Sequence, residues 1–383
     1  MHCRYSQLKN SLETLNATGI PLVSCENNIY TAAGYTDDPG IYYFIPWIAK
    51  SLGVSIDIAI PLFFGSLLLT GLILSIMSFF IHFKDWAPRV VSFCGLSLLT
   101  VAAYCYSDVY IAPYFAAASI IPLFLIRLAP HTRLMFSGCV IGYSNIIRSH
   151  AGTGVFLFIL AWIFLNRDLS KKAKFSAMLI LSLFVSIPYI HFHILESRRD
   201  RFIARSNQTH PSGSLCISHP KWHSIYIGFG YLANPYGIQY IDSCAEEKAK
   251  SICPDVVYCS SEYEQILRDE CLLLLRKDPL FVLKTVLLKF SAICLKALKF
   301  LNISLLLLFY VIPPFRLIFP FFLAACFYML PGILVIPLNA YLSGFVSTLT
   351  LFGVYIICLG IHRFRNVKQL YITSPHSALR AQR

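Results

Sequence analysis

Long apolar segments alternate with short polar segments along most of the chain. The first apolar segment covers residues 54–83, and the others cover 89–106, 112–127, 133–148, 153–166, 175–195, 291–312, 317–338 and 343–361. A helix of about 20 apolar residues crosses the roughly 30 Å hydrocarbon core of a bilayer. The pattern therefore predicts an all-α polytopic membrane protein with about nine transmembrane helices.

The composition agrees with lipid as the main solvent. Of the 383 residues, 57% are hydrophobic and 13% are charged, whereas soluble domains carry about 25% charged residues. The formal net charge is +13, which in a soluble protein would suggest nucleic acid. Here the Lys and Arg residues collect in short loops between apolar segments, as in membrane proteins. We therefore predict contact with membrane lipids and no nucleic-acid partner.

The basic loops predict the orientation of the helices. Lys and Arg are frequent near 84–89, 167–174 and 363–368, but the loops at 106–112 and 339–342 contain none. Basic loops face the cytoplasm. The predicted organisation is an extracytoplasmic N-terminal segment over 1–53, transmembrane helices over 54–194, an extracytoplasmic loop or cap over 195–290 with a helix near 261–277, transmembrane helices over 291–361, and a cytoplasmic tail over 362–383.

The N-terminal segment is polar over residues 1–40 and shows no signal peptide. Because an upstream helix is the usual way to carry such a segment across a membrane, we expect this chain to have lost, or never had, a first transmembrane helix.

Four of the 13 cysteines fall in one polar stretch of the predicted cap, namely Cys216, Cys244, Cys253 and Cys259. Four thiols in a polar loop favour disulfides in an oxidising compartment, with three possible pairings. A zinc site is the alternative, although no CxxC pair is present.

Two adjacent carboxylates precede the first long apolar segment. Asp37 and Asp38 are followed by Pro39 and an amphipathic stretch over 41–52. Proline is favoured at the first position of a helix, which places Asp38 at the N-cap. One interpretation is that Asp38 is only a helix cap. The other is that Asp37 and Asp38 form a catalytic pair, because a carboxylate close to a hydroxyl can accept its proton.

Other polar residues fall in predicted extracytoplasmic loops and are candidates for substrate binding. Asp108 lies at the end of a predicted span, where a carboxylate is costly unless it meets water or a cation. Arg148 suits bidentate contact with phosphate, and His150 can share a proton with a leaving oxygen. Trp222 and His223 suit contact with a sugar ring. The alternative for Asp108 is an ordinary interfacial loop residue. For Arg148 and His150 it is contact with lipid headgroups, and for Trp222 and His223 it is an aromatic core beneath the cap.

This order of motifs resembles the C-type superfamily of polytopic glycosyltransferases, which includes protein mannosyltransferases and aminoarabinose transferases. Members carry an acidic motif in the first outside loop, matched here by Asp37 and Asp38, and a second acidic residue in the next outside loop, matched by Asp108. The segment 218–278 looks like the later outside loop of uncharacterised bacterial members, through Trp222-His223 and the sequence Asn234-Pro235-Tyr236-Gly237.

The resemblance implies an enzyme of the cell (inner) membrane with an extracytoplasmic active site. It implies a sugar donor carried on polyprenyl phosphate, a glycan, lipid or protein acceptor, and inverting displacement. The cofactor is left unknown, with a divalent metal ion as one possibility and no metal ligands assigned. Two other classes stay open: a membrane transporter or flippase, and a membrane scaffold that has lost activity.

Overall fold

The computed structural model describes residues 2–34, 37–105, 111–126, 130–206 and 220–373. Within these ranges the chain forms fifteen α-helices, one two-stranded sheet and two short 3₁₀ helices, at Ile121–Leu125 and Phe229–Tyr231. In chain order the α-helices and strands are α1 His2–Thr18, β1 Val23–Glu26, β2 Ile29–Ala32, α2 Pro39–Leu52, α3 Ile56–His82, α4 Trp86–Cys105, α5 Ile111–Ala118, α6 Pro130–Ile147, α7 Thr153–Leu165, α8 Lys171–Ser206, α9 Lys221–Gly228, α10 Asp242–Ile252, α11 Ser261–Lys277, α12 Pro279–Leu301, α13 Ile303–Val311, α14 Phe315–Leu334 and α15 Ser343–Thr373.

Five helices in the described ranges are long and apolar enough to cross a membrane: α3, α4, α8, α14 and α15. A sixth span is added if α12 and α13, which meet at a bend of 73°, cross as one broken helix. Large apolar side chains point outward from these helices, among them Leu98, Phe175, Leu306 and Phe309. Water-soluble monomers rarely expose apolar surface on this scale, and the protein is a multi-pass membrane protein.

The prediction of nine full spans is not confirmed. The apolar segments near 112–127 and 153–166 form α5 with its 3₁₀ extension and the 13-residue α7, and a helix of that length reaches only about 20 Å. Their side chains are buried inside the protein, as Ile121, Val155 and Phe158 illustrate. These segments are apolar because they pack against other helices, and short elements at membrane depth are tolerated when protein surrounds them.

The polar N-terminal region is folded, which the sequence did not predict. Helix α1 is followed by an antiparallel hairpin in which Val23 pairs with Ala32 and Glu26 pairs with Ile29. Asn27 and Asn28 make the turn with positive φ angles of 50° and 63°, as a two-residue hairpin turn requires. The hairpin is the exception to the predicted all-α class.

Helix α8 supports the N-terminal hairpin from one side. It has 36 residues and is therefore about 54 Å long, well beyond the thickness of a hydrocarbon core. Its far end contributes Phe202 and Ile203 to a small apolar cluster with Val23. The predicted boundary at residue 195 therefore falls inside α8, as the boundary at 290 falls inside α12.

Glycines allow α6 to lie close against α8. A methyl group at Gly142 would come within 2.6 Å of the Val185 carbonyl oxygen, and one at Gly138 within 2.7 Å of the Phe184 side chain. Only glycine fits at such contacts. This packing fixes the end of α6 beside the second half of α8, where the candidate site lies.

Helices α9, α10 and α11 share an apolar cluster of their own, which includes Tyr226, Ala245, Tyr263 and Leu267. The predicted helix near 261–277 is confirmed by α11. Cys244 and Cys253 carry free thiols, so the disulfide prediction is not confirmed for these two residues. Cys259 is fully buried, and Cys216 lies outside the described residues.

Candidate functional site

Asp38 occupies the N-cap of α2, and Pro39 is the first helical residue, as predicted. The side chain of Asp38 makes no capping hydrogen bond. It instead accepts hydrogen bonds from the amide (2.9 Å) and hydroxyl (2.5 Å) of Ser149. Helix capping therefore does not account for this carboxylate, which is directed across the protein to the loop that follows α6.

Arg148 joins the two predicted carboxylates. Its Nη1 atom lies 2.8 Å from Asp37 Oδ1 and 3.3 Å from Asp38 Oδ2. The side chains of Arg148, Asp37 and Asp38 are 13%, 11% and 5% exposed. Charged groups at this depth require close partners of opposite sign, so the three residues form one electrostatic unit.

Arg4 completes this unit from the N-terminal helix. Its Nε atom donates to Asp37 Oδ2, while Asp37 Oδ1 also accepts from the amide of Asp38. Two guanidinium groups thus face two carboxylates. The pKa of Tyr42 is raised well above its ordinary value, mainly because the phenol is buried and secondly because Asp37 is negatively charged. This phenol therefore stays neutral beneath the cluster.

A close approach between α2 and α6 brings the two halves of the cluster together. Gly40 lies at the start of α2, and a methyl group there would come within 2.7 Å of the Ile146 carbonyl oxygen and of the Ile147 Cα atom. Both contacts are with backbone, which cannot move aside as a flexible side chain can. Gly40 therefore sets the spacing between Asp38 and Ser149.

The loop after α6 is held by hydrogen bonds from several helices. Tyr328 donates to the Ala151 carbonyl oxygen at 2.6 Å, and Tyr114 donates to the Ser149 carbonyl oxygen at 3.2 Å. The Asn145 side chain accepts from the Gly152 amide at 2.7 Å. His150 has a left-handed φ of 68°, which is uncommon for residues other than glycine. The surrounding contacts hold the loop in this conformation.

A cavity of about 320 Å³ opens beside Asp38. Its lining contains the predicted residues Asp38 and His150, and it also contains Ser149, Tyr189 and Glu196. Helix α8 contributes Tyr189 and Glu196. The cavity therefore combines carboxylates, a hydroxyl and an imidazole with an aromatic wall, as small-ligand sites commonly do.

The structure brings four of the predicted site residues together: Asp37, Asp38, Arg148 and His150. Asp108 lies outside the described residues. Sequence reasoning did not select Arg4, Ser149 or Glu196. No local pattern marks Arg4 or Glu196, since each reaches the site only through the packing of its helix, whereas Ser149 adjoins a residue that was predicted.

Trp222 and His223 lie in the cluster formed by α9, α10 and α11. His223 contacts the Tyr263 hydroxyl at 2.6 Å and Asp242 Oδ1 at 3.1 Å. The Glu264 carboxylate accepts from the amides of Trp222 and His223 at 2.9 and 3.0 Å, and so caps the start of α9. The hydrogen bond from His223 lowers the pKa of Asp242.

These contacts match the alternative of an aromatic core beneath the cap. Neither Trp222 nor His223 lines the cavity beside Asp38, and His223 is buried. Their predicted contact with substrate stays a prediction.

The carboxylates as placed do not fit a divalent metal ion. Arg4 and Arg148 lie against Asp37, where a bound cation would meet two positive charges at short range. Among the residues that the structure describes, no group of three His, Cys, Asp or Glu side chains is arranged to hold a metal. No chemical step is therefore assigned to a metal ion here.

Comparison with known proteins gives a distant structural likeness. No protein-family model matches the chain, and no curated protein matches it. A crystal structure of ArnT from Cupriavidus metallidurans in the apo state is similar at 11% identity, over 93% of this chain and 72% of that chain, with a TM-score of 0.36. At that identity and TM-score, no property of ArnT is transferred to this chain.

Proposed function

We propose that the protein is a membrane glycosyltransferase that moves a sugar from a polyprenyl-phosphate donor to an acceptor hydroxyl at the extracytoplasmic face. The observation that supports this most is the placement of Asp38. Its carboxylate sits at a helix N-cap without capping the helix, and it faces a cavity at the edge of a helix bundle. A buried carboxylate that lines a cavity is a candidate general base.

In the proposed step the oxygen of the acceptor hydroxyl attacks the anomeric carbon of the donor sugar. The bond between that carbon and the phosphate oxygen breaks, and its electron pair leaves with the polyprenyl phosphate. The hydroxyl proton passes to the carboxylate of Asp38. Attack from the face opposite the phosphate inverts the anomeric carbon. A correctly placed base contributes roughly a hundredfold or more to such a step.

Asp37 has a positioning role in this proposal. It does not line the cavity, and it is held between Arg4 and Arg148. It keeps the guanidinium group of Arg148 beside Asp38, the member of the cluster that lines the cavity. A guanidinium has five N–H donors in a fixed plane, so Arg148 suits stabilisation of the charge that develops on the leaving phosphate.

The remaining lining residues suit the two substrates. His150 is exposed at the cavity and can donate to a phosphate oxygen. Tyr189 offers an aromatic surface for a sugar ring, and Glu196 offers a hydrogen-bond acceptor for its hydroxyls. The isoprenoid chain of the donor would remain in the lipid around α8, one of the spans.

The deciding experiment is lipid and surface-glycan analysis of cells with and without the intact protein. We expect one sugar to be missing from a surface glycan or lipid when the protein is absent. Asp38→Asn should reproduce the loss, because the isosteric amide cannot accept the proton. Asp57→Asn is the matched control, since Asp57 lies on α3 and contacts Tyr5 rather than the cavity. If Asp37→Asn and Asp38→Asn both leave transfer intact, the assignment is wrong.

A transporter or flippase is the second candidate, and the break between α12 and α13 favours it. Transporters use discontinuous helices near the middle of the membrane, and these two helices meet at 73°. A transporter would move a labelled lipid between leaflets of a vesicle without forming a new glycosidic bond. The glycosyltransferase would form that bond without net movement of lipid.

A further inference from the structure

A second and larger cavity lies at the opposite end of α6. Arg133 is near the start of this helix and Arg148 follows its end, so the two arginines are about 22 Å apart along the helix axis. The second cavity has a volume of about 830 Å³. It is bounded by the ends of several helices, including His82 of α3, Lys172 of α8 and Arg316 of α14.

Arg133 is the most unusual residue of this cavity. It is only 7% exposed, and its Nη1 atom donates to the carbonyl oxygens of Ile126 (2.9 Å) and Leu123 (3.3 Å). Its guanidinium carbon lies 4.7 Å from the ring centre of Phe124 and 4.9 Å from that of Trp162. All these partners are uncharged.

The positive charge of Arg133 lacks a counter-ion in the described part of the chain. No carboxylate there lies within 4.0 Å of it, and its buried Nε atom has no hydrogen-bond acceptor. The carboxylate of Asp168, which also lines the cavity, lies 4.0 Å from Arg316, and both side chains are mostly exposed. Burying an unpaired cation is costly, and an anion that enters the cavity would offset that cost.

The other lining residues specify the chemistry of that anion. Lys172 and Arg316 add positive charge at the mouth, while Leu125, Ile163 and Leu317 form an apolar wall. Lys172 lies at the start of α8 and Arg316 at the start of α14, and both helices are spans. The mouth therefore lies at the level of lipid headgroups. A guanidinium matches the geometry of a phosphate group. The cavity thus combines a cationic end with an apolar side.

We propose that this cavity binds the phosphate group of an anionic lipid headgroup, with Arg133 as its buried anchor and Lys172 and Arg316 at its mouth. The site is separate from the Asp38 cavity and does not depend on the proposed glycosyl transfer. Ordinary attraction of surface lysines to anionic lipid would not require a buried arginine, whereas this site does.

The test is thermal unfolding of the full chain in detergent, titrated with phosphatidylglycerol or with phosphatidylcholine. We expect phosphatidylglycerol to raise the midpoint temperature and phosphatidylcholine to have little effect. Arg133→Gln should raise the half-effective concentration of phosphatidylglycerol about tenfold or more, because a charge-assisted contact is lost. Lys172→Gln should raise it by roughly threefold. Lys171→Gln is the matched control, because this neighbouring exposed lysine does not line the cavity.

A parallel titration with inorganic phosphate distinguishes a lipid headgroup from free phosphate as the source of the bound phosphate group. Stabilisation by millimolar phosphate that weakens in Lys172→Gln but not in Lys171→Gln supports the site and means that the phosphate group alone suffices. Stabilisation by phosphatidylglycerol alone supports the site and means that the lipid is needed. If Arg133→Gln does not fold, the comparison of Lys172→Gln and Arg316→Gln with Lys171→Gln decides the question. Equal stabilisation by both lipids, or equal loss in Lys171→Gln and Lys172→Gln, would overturn the proposal.

Discussion

Arg148 Nη1 lies 2.8 Å from Asp37 Oδ1, although the two residues are separated by 111 positions in the chain. The contact ties the segment before α2 to the loop after α6. Because Arg148 also reaches Asp38, one guanidinium organises both carboxylates. The geometry of the candidate site therefore depends on this side chain.

Arg148→Ala should destabilise the protein by about 3 kcal/mol, because it removes the guanidinium group that contacts both largely buried carboxylates. The free energy of unfolding in detergent is the measurement. Adding Asp37→Asn to Arg148→Ala should recover part of the loss, with a coupling energy of about 1–3 kcal/mol. Additive effects of the two substitutions would contradict the proposed electrostatic unit.

Gly40→Ala should reduce glycosyl transfer and lower stability by roughly 1–3 kcal/mol, because the added methyl group meets the backbone of α6. The displacement separates Asp38 from Ser149, so activity should fall even where the protein still folds. Gly65→Ala on α3 is the matched control, because its methyl group would meet only Tyr104, at 3.7 Å. Gly65→Ala should leave the free energy of unfolding unchanged or raise it by up to about 1 kcal/mol. Both alanines behaving alike would argue against the spacing role of Gly40.

Tyr328→Phe removes the hydroxyl that donates to Ala151 and accepts from the Val155 amide at 3.3 Å. We expect a loss of about 1–3 kcal/mol, since buried backbone groups are left without a partner. The loop that carries Arg148 should also become more accessible to hydrogen exchange. Tyr310→Phe, at an exposed position, should change neither quantity. Unchanged exchange in Tyr328→Phe would mean that other contacts suffice to hold the loop.

Cys253 and Cys271 should differ in their reaction with a membrane-impermeant maleimide at pH 8. Burial raises the pKa of Cys271 to about 12, so its reactive thiolate is scarce at that pH. Cys253 is partly exposed and should be modified in intact cells if the segment after α8 is extracytoplasmic. Peptide mass spectrometry locates the modified residue. Modification of Cys253 only after permeabilisation would place this segment, and with it the Asp38 cavity, on the cytoplasmic side.

Patterns among neighbouring residues predicted the helices whose position depends on the local sequence alone. The apolar length of 54–83 predicts α3, and Pro39 after Asp38 predicts the start of α2. Length and composition do not distinguish burial in lipid from burial in protein, which is why residues 153–166 were predicted as a full span. The side chains of α7 are buried among other helices instead.

Helix α1 and the hairpin carried signals that the prediction did not use. Leu8, Leu12 and Leu15 recur at helical spacing, and Asn27-Asn28 separates two short strands. The partners of Asp37 could not have been read from any local pattern. Arg4 and Arg148 reach it from opposite directions along the sequence, and only the packing of α1 and α6 against α2 brings them together.

The length of α8 has a consequence for the order of assembly during synthesis. Phe202 and Ile203, near the end of this helix, complete the small cluster that holds the N-terminal hairpin. A ribosome makes the hairpin first and its support some 170 residues later. The earliest part of the chain must therefore wait, with its charges hydrated, until α6 and then α8 have emerged. The candidate site can therefore mature only after α8 has been synthesised.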